Sequence, residues 1–170
     1  MSPATSSAEP PVHRYAARCS WTGSTGAGYE KYNRTHAAVA PPAAAALTLS
    51  ADPAFRGDPT QLNPEQLLVL AASSCQLLSF LAIAARSRVN VISYEDEAAG
   101  EMSEAQKPVC LGVIRLRPRI TLAAMPDANV KAAPPDDARI RRLVELAHRE
   151  CYIASSLKTE VTVEPTILWQ

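Results

Sequence analysis

Two cysteines, Cys75 and Cys151, stand 76 residues apart, each at an apolar position of a run with helical character. A pair of thiols is the minimum equipment for reducing a peroxide and then closing a disulfide. One sulfur attacks oxygen and becomes a sulfenic acid, and the other condenses with it. The attacking sulfur must be a thiolate, and its surroundings decide whether it is one. Cys75 falls about eleven residues into its helix, beyond the first turn in which a helix N-terminus lowers a thiol pKa. Burial acts in the opposite direction and raises it. A reactive Cys75 therefore needs a cation close by. Arg56, in the loop before the helix, and Arg34, in Tyr32-Asn33-Arg34-Thr35-His36, are the candidates. A buried guanidinium needs a carboxylate in turn, and Glu65 is the nearest in sequence. Taken singly, Cys75 reads as a small packing hydrophobe, and so do Cys19 and Cys110 in their alternating segments. Cys151 differs because it closes an amphipathic stripe and points toward the core.

The elements that must position these groups can be read from periodicity. Residues 13–21 alternate, with Tyr15, Ala17, Cys19 and Trp21 on one face, as in a half-buried strand. The turn residues at 22–28 predict a hairpin into residues 29–39. A Pro/Ala spacer leads to a short strand at 47–49, and a long loop follows over residues 50–62. Asn63, Pro64, Glu65 and Gln66 form a helix start with a capping-box pattern, and the helix is expected to run to about Arg86. Residues 91–102 have strand character. Residues 109–122 form a clear strand, with Ile114, Leu116 and Ile120 on one face and Arg115, Arg117 and Arg119 on the other. Pro118 suggests an edge or a bulge there. Pro134, Pro135, Asp136 and Asp137 start a second helix whose stripe is Ile140, Leu143, Val144, Ala147 and Cys151. A last strand is expected at 159–163. This order indicates an α+β fold, with a tail at 1–12 followed by one domain at 13–170.

Bulk properties exclude several classes. The chain has 170 residues, enough for one self-supporting core, and 17 basic residues balance 17 acidic ones. No basic field favours nucleic acid or an anionic membrane. The Arg115, Arg117 and Arg119 strip reads as a solvated or salt-bridged edge, and aromatic residues are too few, at 5%, for base stacking. Residues 67–85 carry no charge, but Ser73, Ser74, Gln76 and Ser79 interrupt them, which favours a buried helix over a membrane span. Four cysteines without an export signal read as reduced thiols in a cytoplasm. His148 and Cys151 have metal-ligand spacing, but no second cluster accompanies them, so no metal is expected. Gly23, Gly26 and Gly28 read as a turn rather than a phosphate loop.

Asn63-Pro64-Glu65-Gln66-Leu67 with Cys75 ten residues after the glutamate resembles the signature helix of the OsmC/Ohr family of thiol-dependent organic hydroperoxide reductases. The segment Cys151-Tyr152-Ile153-Ala154-Ser155-Ser156-Leu157 resembles that family's resolving-cysteine region, and the order of elements matches over residues 14–168. The resemblance implies antiparallel sheets wrapped around a long buried central helix in an intertwined homodimer. It implies that Cys75 is the peroxidatic cysteine, Cys151 the resolving one and Glu65 the residue that orients the catalytic arginine. That arginine is Arg56 by the OsmC pattern or Arg34 by the Ohr pattern, and the spacing of 19 residues before Cys75 favours Arg56. Organic hydroperoxides would be the substrates, a lipoyl-type or other dithiol the reductant, and no cofactor would be needed. Tyr152 replaces the proline common after the resolving cysteine, and the loop at 52–59 is unusual, which bears on substrate preference. Leu78 and Phe80 are the expected lining of an apolar substrate pocket. Glu65 and Cys75 are about 15 Å apart along one helix, so a shared site requires two chains. The alternative is a non-catalytic protein of this fold that binds a hydrophobic anionic small molecule.

Overall fold

A computed structural model of the chain describes residues 10–124 and 136–170. The expected tail lies mostly outside these residues, as do Pro134 and Pro135. The chain forms two compact units, Met1–Asn63 and Pro64–Gln170.

In the first unit, β1 (Arg18–Ser20), β2 (His36–Val39) and β3 (Ala46–Leu49) make an antiparallel sheet in that order. The strand expected at 13–21 is realised over three exposed residues only. Its one partner is β2, and their pairing ends at Ser20 opposite Ala37, so no ladder is left for the rest. Cys19 is accordingly exposed, not packed. The connection from β1 to β2 is wider than a tight hairpin. Gly28 adopts φ +89° within it, and Trp21 meets Tyr32 edge-on at 6.3 Å. The long loop is ordered by a short 3-10 turn at Pro53–Phe55, capped by the Asp52 side chain and closed by Arg56 at φ 66°. A Cβ on Gly57 would collide with the Ala51 carbonyl, so the loop closes only with glycine there.

The second unit is built on α1 (Pro64–Arg86), which has the expected limits. Its buried stripe is Ala72, Gln76, Phe80, Ile83 and Ala84. The helix is buried on that face only; Leu70, Leu78 and Leu81 on other faces are exposed. It is long and apolar enough to cross a membrane by length and composition, yet it packs here against β-strands and two further helices.

The two long strands expected from alternation are each broken in two. Residues 91–102 become β4 (Val91–Asp96) and β5 (Ala99–Met102), and 109–122 become β6 (Leu111–Leu116) and β7 (Pro118–Leu122). The chain end adds β8 (Glu160–Val163) and the unforeseen β9 (Thr166–Trp169). Each broken strand passes from one sheet to another, giving the orders β4-β7-β9 and β5-β6-β8. Pro118 opens β7, where a missing N–H is tolerated. Asp96 fixes this corner: it accepts from the Arg117 N–H at 2.7 Å and from the Ser73 hydroxyl of α1 at 2.5 Å.

These sheets are mixed rather than purely antiparallel, because β6–β8 and β7–β9 pair in parallel. Parallel neighbours require a long crossover, and α2 (Asp137–Arg149) and α3 (Tyr152–Ser156) lie within it. Asp136 caps α2 by accepting from the Arg139 N–H at 2.7 Å. Ile114, Leu116, Ile120 and Leu122 are fully buried. On the opposite face Arg115 pairs with Glu101, and Arg117 with Glu164 at 3.6 Å.

Candidate functional site

The second unit brings Cys75 and Cys151 together by itself. Cys75 is half-buried on α1. Cys151 is 1% exposed. It does not end the α2 stripe as the periodicity suggests, since α2 stops at Arg149 and Glu150 caps it. Instead Cys151 caps the start of α3, and its sulfur accepts from the Ala154 N–H at 3.5 Å. Its own N–H is held by the His148 carbonyl at 3.2 Å. The inward orientation expected of this residue is realised through the junction of two helices.

Burial and a hydrogen bond with the Cys75 thiol push the Cys151 thiol up to about 11, against the opposing donation from Ala154. Both cysteines are free thiols, and Cys75 is among the groups that raise the pKa of Cys151. Next to Cys75, Gln76 is fully buried and donates from Nε2 to the Val144 carbonyl at 3.3 Å, which ties α1 to α2 beside the pair.

A cavity of about 510 Å³ opens on Cys75, a size that accommodates a small organic ligand. Ala71, Leu78, Ala82 and Ile153 supply apolar wall, and Ser74 and Ser79 add hydroxyls. The expected lining residue Leu78 is present, 63% exposed. Phe80 is not: it is fully buried in the core, 5.9 Å from the Tyr94 ring. Two positions along a helix turn the side chain through roughly 200°, so Leu78 and Phe80 cannot share a face. Arg86, Glu150 and Tyr152 also line the cavity. Arg86 was passed over because a basic residue in the last turn of a helix is usually explained by the helix dipole.

The first unit holds both candidate arginines, each engaged locally. Arg56 forms an ion pair with Glu30. Arg34 donates to the Tyr32 and Tyr29 carbonyls at 2.8 and 2.7 Å, and its guanidinium lies over both rings at 4.0 and 4.7 Å. The carboxylate paired with Arg56 in this chain is Glu30, whereas Glu65 sits in the first turn of α1.

The family model for OsmC-like proteins matches residues 57–166. The chain belongs to the OsmC-like protein family. The α+β architecture recurs in solved structures. An OsmC-like protein of unknown function from Vibrio cholerae is 27% identical, with a TM-score of 0.78, covering 91% of this chain and 100% of that one. An OsmC-like protein from Mycoplasma pneumoniae is 14% identical, with a TM-score of 0.69 over 92% and 98% of the two chains. An organic hydroperoxide resistance protein from Elizabethkingia anophelis is also 14% identical, with a TM-score of 0.63 over 94% and 99%. No curated protein sequence matches the chain. The matched OsmC-like region contains Cys75, Cys151 and Glu65, and both candidate arginines precede it.

Proposed function

We propose that this OsmC-like protein reduces organic hydroperoxides through Cys75 and Cys151. The Cys75 thiolate attacks one peroxide oxygen; an S–O bond forms as the O–O bond breaks, and the other oxygen leaves and takes a proton as the alcohol. Cys75 is then a sulfenic acid. The Cys151 sulfur attacks it, an S–S bond forms, and the hydroxyl leaves with the Cys151 proton as water. An external dithiol, of lipoyl type by family resemblance, reduces the disulfide through two exchanges and is itself oxidised. No metal or prosthetic group takes part.

The observation that carries this reading is a pair of neighbouring free thiols, Cys151 raised in pKa by burial and by Cys75, with Cys75 on the wall of a largely apolar cavity. A pure binding protein has no use for the second sulfur. The raised pKa of Cys151 disfavours it as the attacking thiolate, and Cys75 is the sulfur that lines the cavity. Arg56 supplies the cation in our assignment, with Arg34 as the second choice. Exposed Leu70 and Leu81 support a homodimer in which Glu65 of one subunit serves the arginine beside Cys75 of the other. We place the reaction in the cytoplasm, where thiols stay reduced.

Turnover of cumene hydroperoxide by the reduced protein with dihydrolipoamide tests the proposal. Continuous peroxide consumption is the expected result. Absence of consumption with this and other dithiols would instead favour the non-catalytic binder.

A further inference from the structure

The cavity is a groove with direction. Cys75, Leu78, Ser79, Ala82 and Arg86 all line it, and they recur along α1 at spacings that keep one face. Arg86 lies eleven residues after Cys75 on an unbroken helix, a separation of about 16 Å along the axis and only ~20° around it. Arg86 stands in the last turn, and a helical side chain leans toward the N-terminus, here back along the groove. Among the described residues no ion pair includes it. Glu150 lines the same groove and adjoins Cys151 in the chain, which puts it at the sulfur end. Between Cys75 and Arg86 the helix supplies Leu78, Ser79 and Ala82 to the wall.

We propose that Arg86 is a specificity-determining residue that binds the anionic head of an amphiphilic hydroperoxide, whose chain lies in the groove and whose peroxide meets Cys75. Glu150 repels the same head from the sulfur end and so sets the direction of entry. The idea rests on the peroxidase reading for its chemistry, while the binding of an anionic amphiphile stands without it. The bonds made and broken are those already given for Cys75.

The test compares a fatty-acid hydroperoxide of about twelve carbons, its methyl ester and cumene hydroperoxide in wild type, Arg86→Gln and Arg86→Lys. Cumene hydroperoxide carries no anion, so each rate is expressed as a ratio to it. The acid should exceed the ester about tenfold in kcat/KM, the scale of one charge-assisted hydrogen bond. KM should carry the difference, Arg86→Gln should remove it, and Arg86→Lys should restore part of it. Equal rates for acid and ester, or a preference that survives Arg86→Gln, overturns the proposal. Calorimetry with dodecanoate and dodecanol covers the case in which no peroxide is consumed. Tighter binding of dodecanoate, lost in Arg86→Gln, then supports the assignment of Arg86 while the peroxidase reading fails, and equal binding sinks both.

Discussion

The two sulfurs and the two arginines are held in different ways. Cys75 and Cys151 are brought together inside the Pro64–Gln170 unit by α1, the α2–α3 junction and the buried Gln76 link to Val144. Arg34 and Arg56 sit on the first unit, satisfied by ring faces, carbonyls and an exposed carboxylate. A core contact is expensive to undo because every lost neighbour leaves a void. An exposed ion pair such as Arg56–Glu30 costs little to break. In the proposed reaction the sulfur half would therefore be built into the fold, and the cationic half would fall to Arg56, whose exposed ion pair is cheap to exchange.

The largest effect should come from Cys75→Ser, which removes the attacking sulfur and is expected to abolish peroxide consumption altogether. Cys151→Ser should leave Cys75 without its partner thiol, so that a dimedone probe traps the Cys75 sulfenic acid. Turnover that persists in Cys75→Ser would remove the sulfur half from the comparison. Next, Phe80→Ala should lower stability by about 3–5 kcal/mol, the usual cost of emptying a core aromatic site. Leu78→Ala, in the exposed groove wall, should stay within about 0.5 kcal/mol and instead raise KM for long-chain substrates. Urea melts and steady-state kinetics on the two variants check this contrast.

That contrast also shows where sequence reasoning runs out. The limits of α1 were legible because Asn63-Pro64-Glu65 starts it and its apolar run is unbroken to Arg86. Which face points inward was not, because a helix that is apolar nearly all round has no preferred direction in its pattern. Leu78 and Phe80 were therefore named together, though only one of them lines the cavity. The inward position of Cys151 followed from the α2 stripe, but the cap that holds it on α3 did not, since a thiol cap is an unusual helix-start signal. The strand break at 97–98 was hidden because alternation continues across a corner, while Pro118 marked the one at 117 only as an edge or a bulge. β9 is a short run after Pro165, with too few residues to establish a period. Arg86 could have been found by extending the spacing from Cys75 along the helix.

A smaller effect concerns pH. The folded-state pKa of Cys151 is raised to about 11 from an ordinary thiol value of 9.0 by burial and its bond with Cys75. The folded state therefore holds this proton more tightly than the unfolded chain. Its contribution to stability is complete below about pH 9 and is lost as pH rises toward about 11. Reduced wild type should lose stability over that interval relative to Cys151→Ser, measured by denaturant melts. Parallel curves would contradict the buried, hydrogen-bonded thiol. The smallest expected change tests the cationic half: Arg56→Ala should lower kcat/KM for cumene hydroperoxide without changing the denaturant midpoint. A loss in Arg34→Ala alone would transfer the assignment to Arg34.

The central claim is that Cys75 and Cys151 are one redox unit, and peptide mapping tests it most directly. Reduced protein is treated with one equivalent of cumene hydroperoxide, digested without reductant and analysed by mass spectrometry. The account predicts a linked pair of peptides containing Cys75 and Cys151, with Cys19 and Cys110 still free. Four unchanged thiols, or a linkage that leaves out Cys75, would contradict it.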